Sequence, residues 1–353
     1  MLLVIFGAGA SFDSCPTYPP GYAGAVLDGD PLNKHYRPPL ANELFENRPI
    51  FAEAIFRHFT QCQPIVPRLR SLKGETLEAV LEDLQAKSKF YPRGAQQLAA
   101  VRYYLQLVIS QCEIAWRGVA KGVTNYKSLL NEIESANTGK KPVCLVTFNY
   151  DTLLEDALSD FGLPIEAMDD YTEKHPSYKL FKLHGSVNWA RAVDSPTRAR
   201  NPDNGFSVAK DFIERAAEIP VTQKYLLTAE HPPGSVRGIP VFPAIAIPVE
   251  KKNTFECPQQ MLDDLIALLP QVSKILVIGW RATEAHFLAL LKANLRRGAE
   301  LYIVAGPDQQ QAEDIKVRIC RQLPNNPPHS ASVDAGGFTD FILSRRAEQF
   351  LAS

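Results

Sequence analysis

Six short runs of β-branched and apolar residues recur along the chain with almost no alternation: 2–6, 143–147, 178–183, 241–247, 275–278 and 301–304. A strand with one wet face alternates apolar and polar side chains, whereas a strand covered on both faces does not. The runs therefore predict an α/β fold of Rossmann-like type, a mostly parallel sheet flanked by helices. Several of them stop at Gly, Asn or His, where the chain leaves the carboxyl end of a strand. In open sheets of this kind the loops at those ends carry the ligand.

Residues 7–142 separate the first run from the second, far more than the dozen or so residues a crossover helix needs. Much of the stretch has helical periodicity. Leu77, Val80, Leu81 and Leu84 share one face, as do Leu98, Val101, Leu105, Val108 and Ile109. We read 40–137 as a helical insertion in an α/β domain made of 1–39 and 138–353. Pro, Gly and Tyr crowd into 13–39, which is expected to be an irregular loop, with further loops at 193–204 and 231–238.

At 353 residues, 45% apolar and 22% charged, the chain can bury a large core and has the composition of a soluble globular protein. A net charge of −1 gives no electrostatic footprint for nucleic acid, and the pairs Lys140–Lys141 and Arg296–Arg297 read as solvated ends. The opening apolar run is cut at once by Gly7 and lacks a basic flank, so it does not read as a signal peptide. No segment is long enough to span a bilayer. The six cysteines contain no CxxC pair, which leaves a metal site and a disulfide framework unsupported. Reduced thiols in a cytoplasmic protein are the expectation.

Chemistry gathers at the strand ends. Gly7-Ala8-Gly9-Ala10-Ser11 follows the first run. Glycines there allow a tight turn and close approach of backbone N–H groups to a phosphate, and Ser11 adds a hydroxyl. Phe12 stands where a dinucleotide fingerprint has its third Gly, so a turn without a ligand fits equally well. Thr147-Phe148-Asn149-Tyr150-Asp151 follows the second run and places two polar side chains in the same crevice. Asp151 could instead cap the helix that begins near Leu153. His184-Gly185-Ser186 follows the third run; a His so placed can act as a general base near neutral pH, although a lone His is more often structural. Gly279-Trp280-Arg281-Ala282-Thr283 and Gly306-Pro307-Asp308 follow the last two.

Taken in order, these motifs resemble the sirtuins, in particular the divergent sirtuin-like domains of bacterial antiphage defence systems. GAGAS at Gly7–Ser11 is similar to the family's opening loop, and Pro39-Leu40-Ala41-Asn42-Glu43-Leu44 to the segment that follows it in defence members. Thr147–Asp151 resembles the TxNxD motif and Lys182-Leu183-His184-Gly185-Ser186 the catalytic HG motif. Pro248 with Lys251 resembles a Pro…Lys segment, and Val277–Trp280 occupies the late glycine turn. The chain departs from the deacetylase pattern in lacking the four-cysteine zinc module. It also carries Gly-Trp-Arg where a Gly-Thr-Ser-like turn is usual, and His286 where defence relatives often have Asp.

The resemblance implies an NAD+ glycohydrolase that uses NAD as substrate, without zinc. It implies Asn149, His184 and Asp151 as catalytic residues. Gly7, Ala8, Gly9 and Ser11 would hold the pyrophosphate, with Gly279, Trp280 and Gly306 at the adenosine end. It further implies homo-oligomers, a partner such as a HerA-like ATPase, and no direct contact with nucleic acid or membrane. NAD-dependent deacylation or ADP-ribosyl transfer, and a nucleotide sensor without turnover, are the alternatives. The missing third Gly and the long insertion weigh against a dehydrogenase.

Overall fold

The computed structural model describes residues 1–20, 35–71, 76–88, 90–136, 141–194, 204–248 and 255–352. Within them, six strands form one all-parallel sheet: β1 (Leu2–Phe6), β2 (Val143–Thr147), β3 (Tyr178–Lys182), β8 (Lys274–Ile278), β9 (Glu300–Val304) and β10 (Ser330–Asp334). Their spatial order is β10-β9-β8-β1-β2-β3. From β1 the chain moves outward through β2 and β3, then returns to β8 on the other side and continues to β9 and β10. That reversal lies between β1 and β8, whose ladder pairs Leu2 with Lys274 through to Phe6 with Ile278. Loops leaving adjacent strands in opposite directions open a crevice at such a point. Leu3, Val4, Ile5 and Phe6 are completely buried, as the unbroken apolar run requires.

A second sheet is antiparallel, in the order β5 (Val221–Leu227), β4 (Gly185–Val193), β7 (Ile239–Ile245), β6 (Ser235–Val236). The 241–247 run belongs here and not to the parallel sheet. It lacks alternation because β7 is sandwiched: Ala244 joins the core of the parallel sheet, while Phe242 and Ile245 join a second core. That second core is shared with helical residues such as Phe51, Ile55, Tyr104 and Leu105.

A short helix, α1 (Ala8–Phe12), leads away from β1. The long helical stretch that comes later divides between the two cores. Helices α2 (Pro49–Glu53), α3 (Val66–Ser71) and α4 (Leu77–Ser88) pack into the second. The 29-residue α5 (Pro92–Ala120) runs from one to the other, with Val101, Leu105 and Val108 in the second core and Trp116 and Ala120 in the first. It is about 44 Å long at 1.5 Å per residue. Helix α6 (Asn125–Ala136) then lays Tyr126, Leu129, Leu130 and Ile133 on the first core. These positions, i, i+3, i+4 and i+7, form one helical stripe. No helix of the described residues is long and apolar enough to cross a membrane.

Candidate functional site

A cavity of about 520 Å³ opens at the carboxyl ends of the parallel strands. Its volume falls in the range of ~300–1,000 Å³ usual for small-molecule sites. Gly7, Ala8, Gly9 and Ser11 reach it from the end of β1, and Asn149 and Asp151 from the end of β2. His184 comes from the link between β3 and β4, Gly279 and Trp280 from the end of β8, and Gly306 from the end of β9. All ten residues singled out from the sequence thus line one space. The opposite wall includes Pro39, Leu40 and Leu44 of the segment after the first loop, with Glu78 of α4 and Ile109 of α5. Pro248 is also in the wall, while Lys251 lies outside the described residues.

The glycines at the switch point pack against one another. Gly7 N donates to Ile278 O at 3.0 Å, Gly9 N to Gly279 O at 3.1 Å and Ala10 N to Gly7 O at 2.9 Å. A Cβ on Gly7 would sit 2.6 Å from Gly279 O, and one on Gly279 would sit 2.3 Å from Ala10 N. Gly279 also has a left-handed φ of +62°. The glycines therefore let two backbone turns touch, and three of the loop's N–H groups are already bonded within the protein. This close approach is a stronger demand for glycine than the anticipated nearness to a phosphate.

Asn149 is held from below. Its Nδ2 donates to Ser11 Oγ at 2.9 Å and to Tyr126 Oη at 3.2 Å, and those two hydroxyls share a hydrogen bond of 2.9 Å. Burial pushes the Tyr126 phenol well above its ordinary range, so it stays protonated. Ser11 thus supports Asn149 as well as lining the cavity. The Asn149 Oδ1 is left buried without a hydrogen-bond partner. An orphaned buried acceptor costs free energy unless water or a ligand satisfies it.

His184 is 5% exposed. Its ring lies against Phe148, with centroids 4.8 Å apart, and its backbone O accepts from Ala246 N at 2.9 Å. Phe148 in turn stacks on Trp280 at 5.3 Å with the planes 14° apart. Trp280 is itself buried, with its indole N–H donated to Glu284. It is thus a wall of the site anchored in the core. Asp151 Oδ1 accepts from Leu153 N at 3.2 Å, so its carboxylate serves the start of helix α7 (Leu153–Asp160) while bordering the cavity.

Next to it, the buried Glu113 of α5 accepts from Thr152 N at 2.7 Å. Burial pushes the Glu113 carboxyl up to about 8, with Arg117 opposing the shift and Asp151 adding to it. Arg281 is the one Lys or Arg among the described residues that line the cavity. It is exposed on a turn bounded by Gly279 and by Ala282, whose φ is +54°.

Tyr126 and Lys182 are the site-supporting residues that sequence reasoning missed. Tyr126 carries no signal beyond its place on an apolar helix stripe. Lys182 stands inside the HG motif, and its complete burial was invisible in the sequence. Among the described residues no group of three or more His, Cys, Asp and Glu side chains could hold a metal ion.

A family model for the SIR2-like domain matches residues 143–319, half of the chain. None of the curated proteins matches the sequence. Among solved structures, a Sir2 protein bound to a propionylated peptide is similar at 14% identity and a TM-score of 0.37, over 99% of this chain and 94% of that one. A Sir2 complex with a p53 peptide and NAD+ gives 14% identity and a TM-score of 0.38, over 99% and 93%. At these scores the structural likeness carries no weight for function, and family membership rests on the sequence match.

Proposed function

The chain belongs to the SIR2-like domain family, and on that premise we propose that it cleaves NAD+ into nicotinamide and ADP-ribose in the cavity above its parallel sheet. The observation that supports this most is the unpartnered, buried Oδ1 of Asn149, which borders the same space as His184 and the glycine loop.

Breaking the bond between nicotinamide N1 and ribose C1′ sends its electron pair to the pyridinium, which leaves neutral. The ribose passes through an oxocarbenium-like state. The protein has to orient the ring, supply negative potential and deliver a nucleophile. Asn149 Oδ1 accepts a hydrogen bond from the attacking water or a ribose hydroxyl, with the amide fixed by Ser11 and Tyr126. As water adds to C1′, His184 takes its proton. Asp151 contributes negative potential beside C1′. Gly7, Ala8, Gly9 and Ser11 border the pyrophosphate, and Gly279, Trp280 and Gly306 the adenosine end. Arg281 offers the counter-charge.

The absence of any CxxC pair favours hydrolysis over the zinc-bearing deacylase branch. In cells, the enzyme would act in the cytoplasm as an NAD-depleting effector of antiphage defence. It would be switched by homo-oligomerisation or by a partner such as a HerA-like ATPase, with the helical stretch as the assembly surface.

The test is product analysis in ¹⁸O-labelled water, with and without an acyl-lysine peptide. We expect nicotinamide and ADP-ribose carrying the label at C1′ in both cases. Release of nicotinamide only with the peptide, together with an acylated ADP-ribose, would assign the chain to acyl transfer instead.

A further inference from the structure

The loop bearing Asn149 and the segment bearing His184 leave adjacent strands, yet they are tied together more closely than the sheet requires. Leu183 N donates to Thr147 O at 3.2 Å, and Val187 N donates to Tyr150 O at 2.8 Å. Ser186 Oγ donates to the same Tyr150 O at 3.2 Å. Between these links a charged side chain closes the gap. Lys182 is 0% exposed, and its Nζ donates to Asp151 O at 2.5 Å and pairs with Glu155 Oε1 at 2.8 Å.

The network continues behind the site. Tyr171 Oη donates to Glu155 Oε1 at 3.2 Å, and Trp189 Nε1 donates to Tyr171 Oη at 3.0 Å. A buried ion pair is weak grounds for stability, because apolar residues of similar volume often replace it without loss. Its geometry here is specific in another way: the ammonium holds a backbone carbonyl of the loop that carries Asn149, from a position two residues before His184.

We propose that Lys182 and Glu155 are a positioning pair that locks the Asn149 loop to the His184 segment, so that both side chains meet the substrate in one fixed geometry. The proposal rests on the NAD-cleaving reading for its effect on turnover but not for its effect on the backbone. Neither residue touches the cavity, and both act through the loops they join. A displacement near 1 Å at a reacting centre costs on the order of 10²-fold in rate. Loss of the clamp should therefore lower kcat by about 10- to 100-fold. KM should change little, because the remaining substrate contacts come from other loops.

The test uses the full chain with Lys182→Met combined with Glu155→Leu, which removes the charges together and keeps the volume. Thermal unfolding, amide hydrogen exchange at Val187, and nicotinamide release are measured on the same preparations. We expect a melting temperature close to that of the wild type, faster exchange at Val187 and the fall in kcat. A folded double variant with wild-type exchange and wild-type kcat would overturn the proposal.

If the double variant does not fold, Tyr171→Phe decides. It removes the hydrogen bond to Glu155, together with the acceptor of the Trp189 indole N–H. It should speed Val187 exchange and lower kcat by about 2- to 5-fold, as a net loss near 0.5–1 kcal/mol for the Glu155 bond implies. Unchanged values would overturn the proposal. If the wild type on its own releases no nicotinamide, Val187 exchange alone decides whether the pair holds the loops, and failure to bind NAD is what separates loss of the assigned activity from loss of the clamp.

Discussion

Three Gly→Ala substitutions isolate what the switch-point glycines do. Gly118, in the last turn of α5, has φ in the ordinary range, and an added methyl would find nothing within 4 Å. Ala there should stabilise by ~0.4–1 kcal/mol by narrowing the unfolded ensemble. Gly162 has a φ of +74° and likewise open space, so Ala should cost only the left-handed backbone, ~1–2 kcal/mol. Gly279 carries a similar φ of +62°, but its methyl would meet Ala10 N at 2.3 Å and Gly9 C at 2.5 Å. Those are backbone atoms of the facing turn, and no side chain can swing away. Adding a typical overpacking cost of ~1–3 kcal/mol brings the total to about 2–5 kcal/mol.

Chemical denaturation of the three variants reads these differences directly. Titration with NAD should show the Gly279→Ala protein weakened tenfold or more, because relief of the clash moves the Ala8–Ser11 turn. The Gly162→Ala protein should bind normally. A Gly279→Ala protein no less stable than Gly162→Ala, with unchanged affinity, would refute the close-packing argument.

Two further outcomes follow from the site. Glu113 is held protonated up to about 8, against an ordinary value of 4.5. Between those values the native state keeps a proton that the unfolded chain has lost, so this group erodes stability as pH rises from 4.5 to 8. Glu113→Gln should flatten the decline in melting temperature over that window and raise it at the upper end; an unchanged profile would show that the carboxyl is ionised there. Arg281→Gln should raise KM for NAD by about 5- to 10-fold with kcat nearly constant, as expected for an exposed charge-assisted contact. An unaltered KM would remove Arg281 from the binding site.

The parallel sheet was legible because its strands are buried on both faces. The runs at 2–6, 143–147, 178–183, 275–278 and 301–304 all became neighbours in one sheet, and the residues following each converge on one cavity. The second sheet was largely hidden. In β4, Ser186, Asn188 and Arg191 interrupt the apolar pattern, and β5 is half-exposed along its length. The edge strand β10 reads Ser-Ala-Ser-Val-Asp and owes its place to pairing with β9.

Helical periodicity located α4 and α5, but it does not say which core a helix faces. That is why α6, with Tyr126 beneath Asn149, could not be assigned to the site in advance. Motif spacing brought Asn149 and His184 to attention, while the hydrogen bond that Asn149 donates to Tyr126 and the one that Lys182 donates to Asp151 O depend on tertiary contacts across 23 and 31 residues.

The central claim is tested most directly by incubating the purified chain with NAD and measuring nicotinamide and ADP-ribose, with a folded His184→Ala protein alongside. We expect turnover by the wild type and a loss of ~10²–10⁴-fold in the variant, the usual cost of removing a general base. Comparable turnover by both proteins would contradict the role of His184, and failure of the wild type to bind NAD at all would contradict the assigned activity.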